Sequence, residues 1–516
     1  MSLSSDPKAT NYAIAPNANR LLWAGFMAIL AAGVGFSVRG ASVLGEWSKA
    51  FGFTQTELGG ITGGGLVGFG VIIILSSFIA EKIGFGRLMT FAFVIHFLSA
   101  VVTLIAPWVF ASFGKDATFW CLFTGMFMFA IGNGVCEAVV NPLVATLFPN
   151  NKTHYLNILH AGWPAGLILG TVAAIALGNS VSWQIQISLF LIPVVLYGLM
   201  IFGQSMPATE ASSRGVGIGD ILIQFVSPLL LFLLAIHAMV GYVELGTDSW
   251  ISRITGSILD QTTGQWLFLY TSALMFVLRF VAGPIVHKIS PLGLLFVSAV
   301  LATIGLFTLG GIQTTVAAFL ALTIYGLGKT FFWPTMLAIV SERFPKGGAV
   351  TLGIIGGVGM LSAGLLGGPG IGFKQDKFAS EKLQELSPDA FGRYKSEKEN
   401  SFLVFKTNGL DGTKVSTLDD NGAKLNAEMD ILSSTKSSDA NIEKLNEWWK
   451  TAKETAEKDK APVTEATLFG SRMALKVTAI VPAVMALCYL ILIGYFKSIG
   501  GYKPVTLDGQ PASSSH

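Results

Sequence analysis

The sequence predicts an all-α membrane protein: twelve transmembrane helices in two pseudo-symmetric six-helix halves, with a polar insertion between helices 11 and 12. Three observations carry that expectation. Only 13% of the 516 residues are charged, 52% are hydrophobic and the mean hydropathy is +0.61, whereas a soluble chain carries roughly a quarter charged residues. Two long stretches, Tyr155 to Thr209 and Leu294 to Gly328, contain no Lys, Arg, Asp or Glu. One span needs about 20 apolar residues, so each stretch must be a helical hairpin. Turn signals fall where hairpins need them, at Gly178-Asn179-Ser180 and at Gly310-Gly311. Finally, the two parts of the chain repeat one another.

Residues 1–20 are polar and lack the basic-then-apolar order and small-residue cleavage site of a signal peptide. They are read as a cytoplasmic tail, and the run from Leu21 as a retained span. The predicted spans are 21–43, 58–80, 88–110, 118–146, 155–177, 184–203, 221–245, 264–285, 292–310, 315–341, 350–373 and 473–496. The first six make an N-terminal half, 21–203, followed by a cytoplasmic linker, 204–220. Helices seven to eleven occupy 221–373, and helix twelve lies within 470–498, before a cytoplasmic tail, 499–516. Lys and Arg in short loops set orientation. Lys8, Arg20, Lys82, Arg87, Lys152, Arg214, Lys288, Arg343, Lys346, Lys497 and Lys503 gather on one side, against Arg39, Lys49, Lys115 and Arg253 on the other. That asymmetry puts both termini in the cytoplasm and suits a bacterial inner membrane.

Residues 374–469 break the hydrophobic rhythm and hold about half of all the charges. Span parity places this insertion outside, and its lysines do not contradict that, because long loops translocate largely regardless of charge. It contains helix-like (Ala440–Lys458) and strand-like (Ser401–Phe405) runs and two tryptophans, Trp448 and Trp449. It is expected to be a small cap or a partly ordered loop.

The repeat is the most informative feature. One half reads Gly134-Val-Cys-Glu137-Ala-Val-Val-Asn141-Pro142, then Phe148-Pro149, then a span ending Gly166-Leu-Ile-Leu-Gly170. The other reads Gly326-Leu-Gly-Lys329-Thr-Phe-Phe-Trp333-Pro334, then Phe344-Pro345, then Gly364-Leu-Leu-Gly367. Glu81-Lys82-Ile83-Gly84-Phe85-Gly86-Arg87 after helix two corresponds to His287-Lys288-Ile289-Ser290-Pro291 after helix eight. The cysteines, Cys121, Cys136 and Cys488, all fall in predicted spans and read as small core packers. No Cys/His metal spacing, phosphate loop or Ser-His-Asp arrangement is found, so neither an enzyme nor a cofactor is expected. The weak positive charge sits on short loops and gives no support to nucleic-acid binding.

A duplicated twelve-span chain with the loop Glu81-Lys82-x-Gly84-x-x-Arg87 resembles the major facilitator superfamily everywhere outside the insertion. In such a loop the carboxylate can cap a neighbouring helix and pair with a basic side chain, latching the halves on the cytoplasmic side in one state. The alternative is a basic turn that only sets topology. A narrower match, Glu137-x-x-x-Asn141-Pro142-Leu143 followed by Leu156-Asn157-x-x-His160, is similar to the fucose:proton symporter branch. That resemblance implies proton coupling at the glutamate and amides close to a sugar. The sequence departs from the branch at His160, where glutamine is usual, and at Arg39, where helix one of that branch has a carboxylate.

Ionisable groups inside a membrane need a partner or a role. Asn133, Glu137 and Asn141 form one polar stripe of helix four; Tyr325, Lys329 and Trp333 form another on helix ten. Helix seven has His237, Gly241, Glu244 and Asp248 on one face, and helix five adds Asn157, His160 and Pro164. Desolvation favours a protonated carboxyl, so Glu137 reads as a proton carrier or, alternatively, as half of a structural ion pair. Lys329 is open to the same two readings, substrate contact or ion pair, and the matching positions of the two let them meet across the cavity in one state. Asn133, Asn141, Asn157, His160, His237, Tyr325, Lys329 and Trp333 are the candidates for lining a substrate cavity, with Trp163 and Tyr242 as further apolar platforms. Arg39 and Glu244 are the candidates for an outer gate, and Glu81, Lys82 and Arg87 for an inner one; Arg279 can snorkel or pair locally. The glycines of helix eleven, from Gly353 to Gly368, permit close approach of a sliding helix.

The expected function is secondary active transport, as a monomer in the bilayer, of a small polar solute, most readily a sugar with proton symport. Two alternatives stay open. One is an organic-anion or drug exchanger, favoured if Arg39, Lys329 and Arg279 converge on one anion. The other is a membrane sensor that keeps a transporter frame.

Overall fold

The computed structural model describes residues 15–511, apart from 40–42, 52, 54–56, 59, 62–64, 178–179, 398 and 436–437. Lys8 and most of the Gly178-Asn179-Ser180 turn therefore lie outside the described residues, as does the side chain of Lys49.

The first half runs through α1 (Ala18–Val38), α2 (Leu44–Phe51), α3 (Gly65–Ile83), α4 (Phe85–Leu104), α5 (Ala106–Leu147), α6 (Lys152–His160), α7 (Gly162–Leu177), α8 (Trp183–Ser188) and α9 (Leu191–Ile201). After the short linker helices α10 (Glu210–Ser213) and α11 (Ile218–Ile223), the second half contains α12 (Pro228–Gly241), α13 (Thr247–Ile258), α14 (Gln261–Arg279), α15 (Ala282–Leu309), α16 (Thr315–Lys329), α17 (Phe332–Arg343), α18 (Gly348–Ser362) and α19 (Gly368–Leu386). The remainder comprises α20 (Pro388–Tyr394), a hairpin of β1 (Asn400–Phe402) and β2 (Phe405–Thr407), α21 (Gly412–Asp419), α22 (Ala423–Thr435), α23 (Ala440–Ala452), α24 (Ala456–Thr478) and α25 (Ile480–Ser498).

Among the described residues, eleven continuous helical stretches are long and apolar enough to cross a membrane. The eighth expected span, now α14, is not one of them. Its first turns carry Gln261, Thr262, Thr263 and Gln265, and it ends on Arg279, which dilutes its apolar character. Leu75, Phe91, Leu199, Val277, Phe307 and Ile491 are exposed on the outer surface, the pattern of helices solvated by lipid rather than water. Inside, small residues bring helices together. At Gly33 an added Cβ would lie 2.5 Å from the Trp163 carbonyl, and at Gly246 it would lie 2.7 Å from the Gly367 Cα. Between α12 and α13, and between α18 and α19, the helix loosens into π turns, Tyr242–Gly246 and Ala363–Gly367, which pack on one another.

The repeat is visible in the backbone. Phe148 and Phe344, each before a proline, end their helices at φ −127°, ψ 61° and φ −128°, ψ 57°. Gly84 and Ser290, at corresponding positions, both turn through the left-handed region, at φ 93° and 64°. Glycine does so freely, whereas at Ser290 the side-chain Oγ accepts from the Gly293 amide at 3.2 Å and so supports a backbone that serine disfavours.

The insertion departs from its expected boundaries. α19 runs through residue 374 and α24 through residue 469, because the polar residues past each apolar segment are good helix formers and keep the helix going. The two helices pack side by side and hold α20 to α23 around a separate core of Leu383, Tyr394, Leu418, Ile442, Trp449 and Val463. The expected strand at Ser401–Phe405 is interrupted by a turn at Leu403, φ 55°, so that it becomes two short strands with Phe402 opposite Phe405. Arg393 grips the buried Asp459 carboxylate with two hydrogen bonds, 2.8 and 2.6 Å, which hold the guanidinium above its ordinary pKa.

Candidate transport site

One end of the interface between the halves is latched shut. The Glu81 carboxylate accepts from the Ala349 amide at 3.1 Å and from the Thr209 hydroxyl at 2.5 Å. It therefore caps the N-terminus of α18 in the opposite half, where unpaired amides and the helix dipole favour an anion. Arg87 donates to its own Ile83 carbonyl, at 3.4 Å. Among the described residues neither it nor Lys82 joins the carboxylate, so of the two contacts expected of this loop the helix cap is made and the acid–base pair is not. On the same face Lys152 donates to the Ser341 carbonyl near the end of α17, at 3.1 Å. Above the latch, Gly70 and Gly357 bring α3 and α18 into backbone contact: a Cβ on Gly70 would lie 3.0 Å from the Gly357 carbonyl.

The opposite end is open. A cavity of about 1240 Å³ is lined by Phe36, Trp163, Asp248, Ser249, Arg253 and Gln265, among others, and reaches Lys424 of the insertion. A smaller chamber of about 320 Å³ shares Phe36, Leu66, Trp163 and Ser249 with it and adds Arg39, Phe129 and Asn133.

Between chamber and latch lies a buried polar chain. Asn141 donates to the Glu137 carboxylate at 2.6 Å and its amide oxygen meets His160 Nε2 at 2.8 Å. His160 Nδ1 is 4.0 Å from the other carboxylate oxygen. Asn157 donates to the Thr153 carbonyl and, across the interface, to the Thr335 hydroxyl at 3.4 Å. Pro142 helps to fix the stripe, since a proline inside α5 cannot bond its i−4 carbonyl.

The second half carries two ion pairs that sequence reading did not assign. Glu244, in the π turn, accepts from Arg279 Nη2 at 2.7 Å and from the Trp333 amide at 3.1 Å. Lys329 pairs with Asp248. Arg279 also donates to the carbonyls of Thr330, at 3.0 Å, and of His160 in the first half, at 2.5 Å. Neither partnership was among the expected pairings. In this conformation Arg39 does not meet Glu244, because Glu244 is taken by Arg279, and Lys329 does not meet Glu137, because Asp248, one helical turn beyond Glu244, holds the lysine. Nor do Arg39, Lys329 and Arg279 converge. Arg39 lies between Phe129 and Phe190, 4.0 and 4.5 Å from the ring centres.

Of the eight polar and aromatic candidates Asn133 alone is among the described residues lining either chamber, with its oxygen bound to His96 Nε2 at 2.9 Å, while Trp163, expected as an apolar platform, lines both. Tyr325 donates to the Val243 carbonyl at 2.7 Å, and Trp333 packs 4.7 Å from His237. Asp248 and Arg279 were missed as site residues. The signal for Asp248 was its place four residues after Glu244 on one helix face, which called for two nearby cations.

The Major Facilitator Superfamily family model matches residues 22–368. The chain belongs to that superfamily and is an integral membrane transporter, not an enzyme. No curated protein matches it in sequence. Among solved structures it is similar to the proton:xylose symporter XylE of E. coli, with a TM-score of 0.58 at 14% identity over 68% of this chain and 87% of that one. It is also similar to the E. coli fucose:proton symporter FucP, with a TM-score of 0.54 at 16% identity over 69% and 91%. A bacterial homolog of the human lysosomal transporter Spinster gives a TM-score of 0.56 at 14% identity over 92% and 97%. At these identities the likeness is one of fold.

Proposed function

We propose that this transporter is a proton-coupled symporter of a small hydroxyl-rich solute, a sugar or sugar derivative, working by alternating access. The observation that carries the reading is Glu137. It is buried, belongs to an amide–imidazole chain and has no Lys or Arg within ion-pair distance among the described residues, whereas the buried Glu244 and Asp248 of the second half each hold a cation. A buried carboxyl with no fixed cation takes a proton as its complement. The sugar:proton symporters among the structural neighbours support the substrate class.

In the same reading, α14 completes a set of twelve spans and both termini are cytoplasmic. The latch is then the cytoplasmic side, the large cavity opens outward, and residues 374–469 cap the outer face. The arginine and lysine distribution over short loops supports that sidedness, and so does the reach of Lys424 into the open cavity.

The test is uptake into proteoliposomes with and without a pH gradient. Glu137→Gln is expected to abolish gradient-driven accumulation while leaving counterflow, which needs no net proton movement. Accumulation by Glu137→Gln in response to the gradient would remove Glu137 as the coupling group.

A further inference from the structure

We infer that the transported solute carries a carboxylate, and that Arg39 is its anchor. The inference rests on the proposed sugar-transport reading and narrows it to sugar acids, such as hexuronates. Arg39 is 2% exposed, yet none of its three guanidinium nitrogens has a hydrogen-bond partner among the described residues. An arginine presents five donors in a fixed fork, and leaving such a cation buried without an anion is expensive. The guanidinium lies between the Phe129 and Phe190 rings and lines the 320 Å³ chamber, so its fork is positioned before any ligand arrives.

The remaining buried cations of the core offer no alternative. Arg279 is bound to Glu244 and to two carbonyls, and Lys329 to Asp248. One free positive charge matches one negative charge. A carboxylate satisfies it with a bidentate pair, whereas a phosphate monoester would bring close to two negative charges to a chamber whose described lining holds one cation, Arg39. The rest of the chamber suits the rest of such a solute. Trp163 supplies an apolar face, the Ser249 hydroxyl, which donates to the Gly246 carbonyl at 2.6 Å, keeps its oxygen as an acceptor, and the Asn133 amide nitrogen remains a donor once its oxygen is taken by His96. A monoanionic solute that moves with one proton on Glu137 also carries no net charge across the membrane.

The experiment is thermal stabilisation of the purified full-length protein, titrated with glucuronate, galacturonate, glucose, galactose, glucose 6-phosphate and lactate, since a ligand that binds the folded state raises its melting temperature. The expected result is that a hexuronate binds at least tenfold more tightly than its neutral parent. Arg39→Gln should weaken that acid at least tenfold, and Arg39→Lys should recover part of the loss. Unliganded Arg39→Gln should melt no lower than wild type, because it removes an uncompensated buried charge. Hexoses binding as tightly as the acids, no stabilisation by any carboxylate, preference for the phosphate ester, or a large fall in unliganded stability would each overturn the anchor. Arg39-dependent binding of lactate without binding of any hexuronate would support the anchor and refute the sugar reading.

Discussion

Arg279 and Glu244 form a pair whose worth can be measured by removing its members singly and together. Both side chains are almost fully buried, at 1% and 3% exposure, so each single substitution strands a charge. Breaking a buried pair in this way destabilises by about 3–5 kcal/mol. Glu244 would keep the Trp333 amide, and Arg279 its two carbonyls, so the lower end, about 3 kcal/mol for Arg279→Gln or Glu244→Gln, is the better estimate. The double substitution removes both charges and leaves two amides able to bond each other. It should cost about 1 kcal/mol, because a buried pair and its neutral replacement are often close in energy. The resulting coupling of several kcal/mol is read from a double-mutant cycle on unfolding in mixed micelles. If the two substitutions proved additive, the pair would be incidental, and the ordered π turn at Tyr242–Gly246 would have to be held by packing alone.

Three further outcomes follow from the latch and the insertion. Glu81→Gln keeps the shape of the cap but loses the carboxylate's charge–dipole term, about 0.5–2 kcal/mol. Turnover in proteoliposomes should change several-fold while equilibrium binding stays within about twofold, and a reversed ranking would argue against gating. Gly70→Leu drives a side chain into Gly357 and Leu361, whose atoms lie 3.0 Å from a Cβ at that site. It should therefore favour the conformation with the latch end open, read as greater thiol labelling of a cysteine placed at Ser341; unchanged labelling would show that the α3–α18 contact does not set the state. A cysteine at exposed Ser434 should react with an impermeant reagent from outside intact cells, and labelling only after permeabilisation would invert the topology.

Much of this architecture can be read from the chain, because a bilayer leaves a helix few choices. Charge-free stretches such as Leu294 to Gly328 had to be hairpins, and the paired Phe-Pro steps reappear as matching backbone at Phe148 and Phe344. The failures share one physical cause. Helical periodicity says which residues share a face but not which helix that face meets. Glu244, Asp248, Arg279 and Lys329 were each visible as intramembrane charges, while their pairing depends on how α12, α14 and α16 pack and on a π turn that rotates the end of helix seven. A helix cap by Glu81 was expected, but which helix it caps was not, since the donor is a backbone amide of α18 far along the chain. The hairpin turn at Leu403 was hidden because nothing in Ser401–Phe405 marks a left-handed residue.

The buried charges are divided unequally between the halves, and that division bears on how the proposed cycle is driven. The second half carries Arg279 with Glu244 and Lys329 with Asp248, two closed pairs that can move with it as a unit at little electrostatic cost. The first half carries, among the described residues, Arg39 without an anion and Glu137 without a cation. These two cannot neutralise each other directly, because Arg39 is held between Phe129 and Phe190 while Glu137 is bound to Asn141, one turn closer to the latch. On the proposed reading each finds its complement outside the protein: a proton for the acid and, on the inference above, a carboxylate for the base. Only when both are filled does the first half become as neutral inside as the second. Rocking must also break the bond from Arg279 to the His160 carbonyl, which crosses the interface beside the Glu137 chain. A barrier to rocking with one site empty and a lower barrier with both filled is what a symporter requires. On the proposed reading it arises because filling one site alone leaves one charge of the first half unpaired.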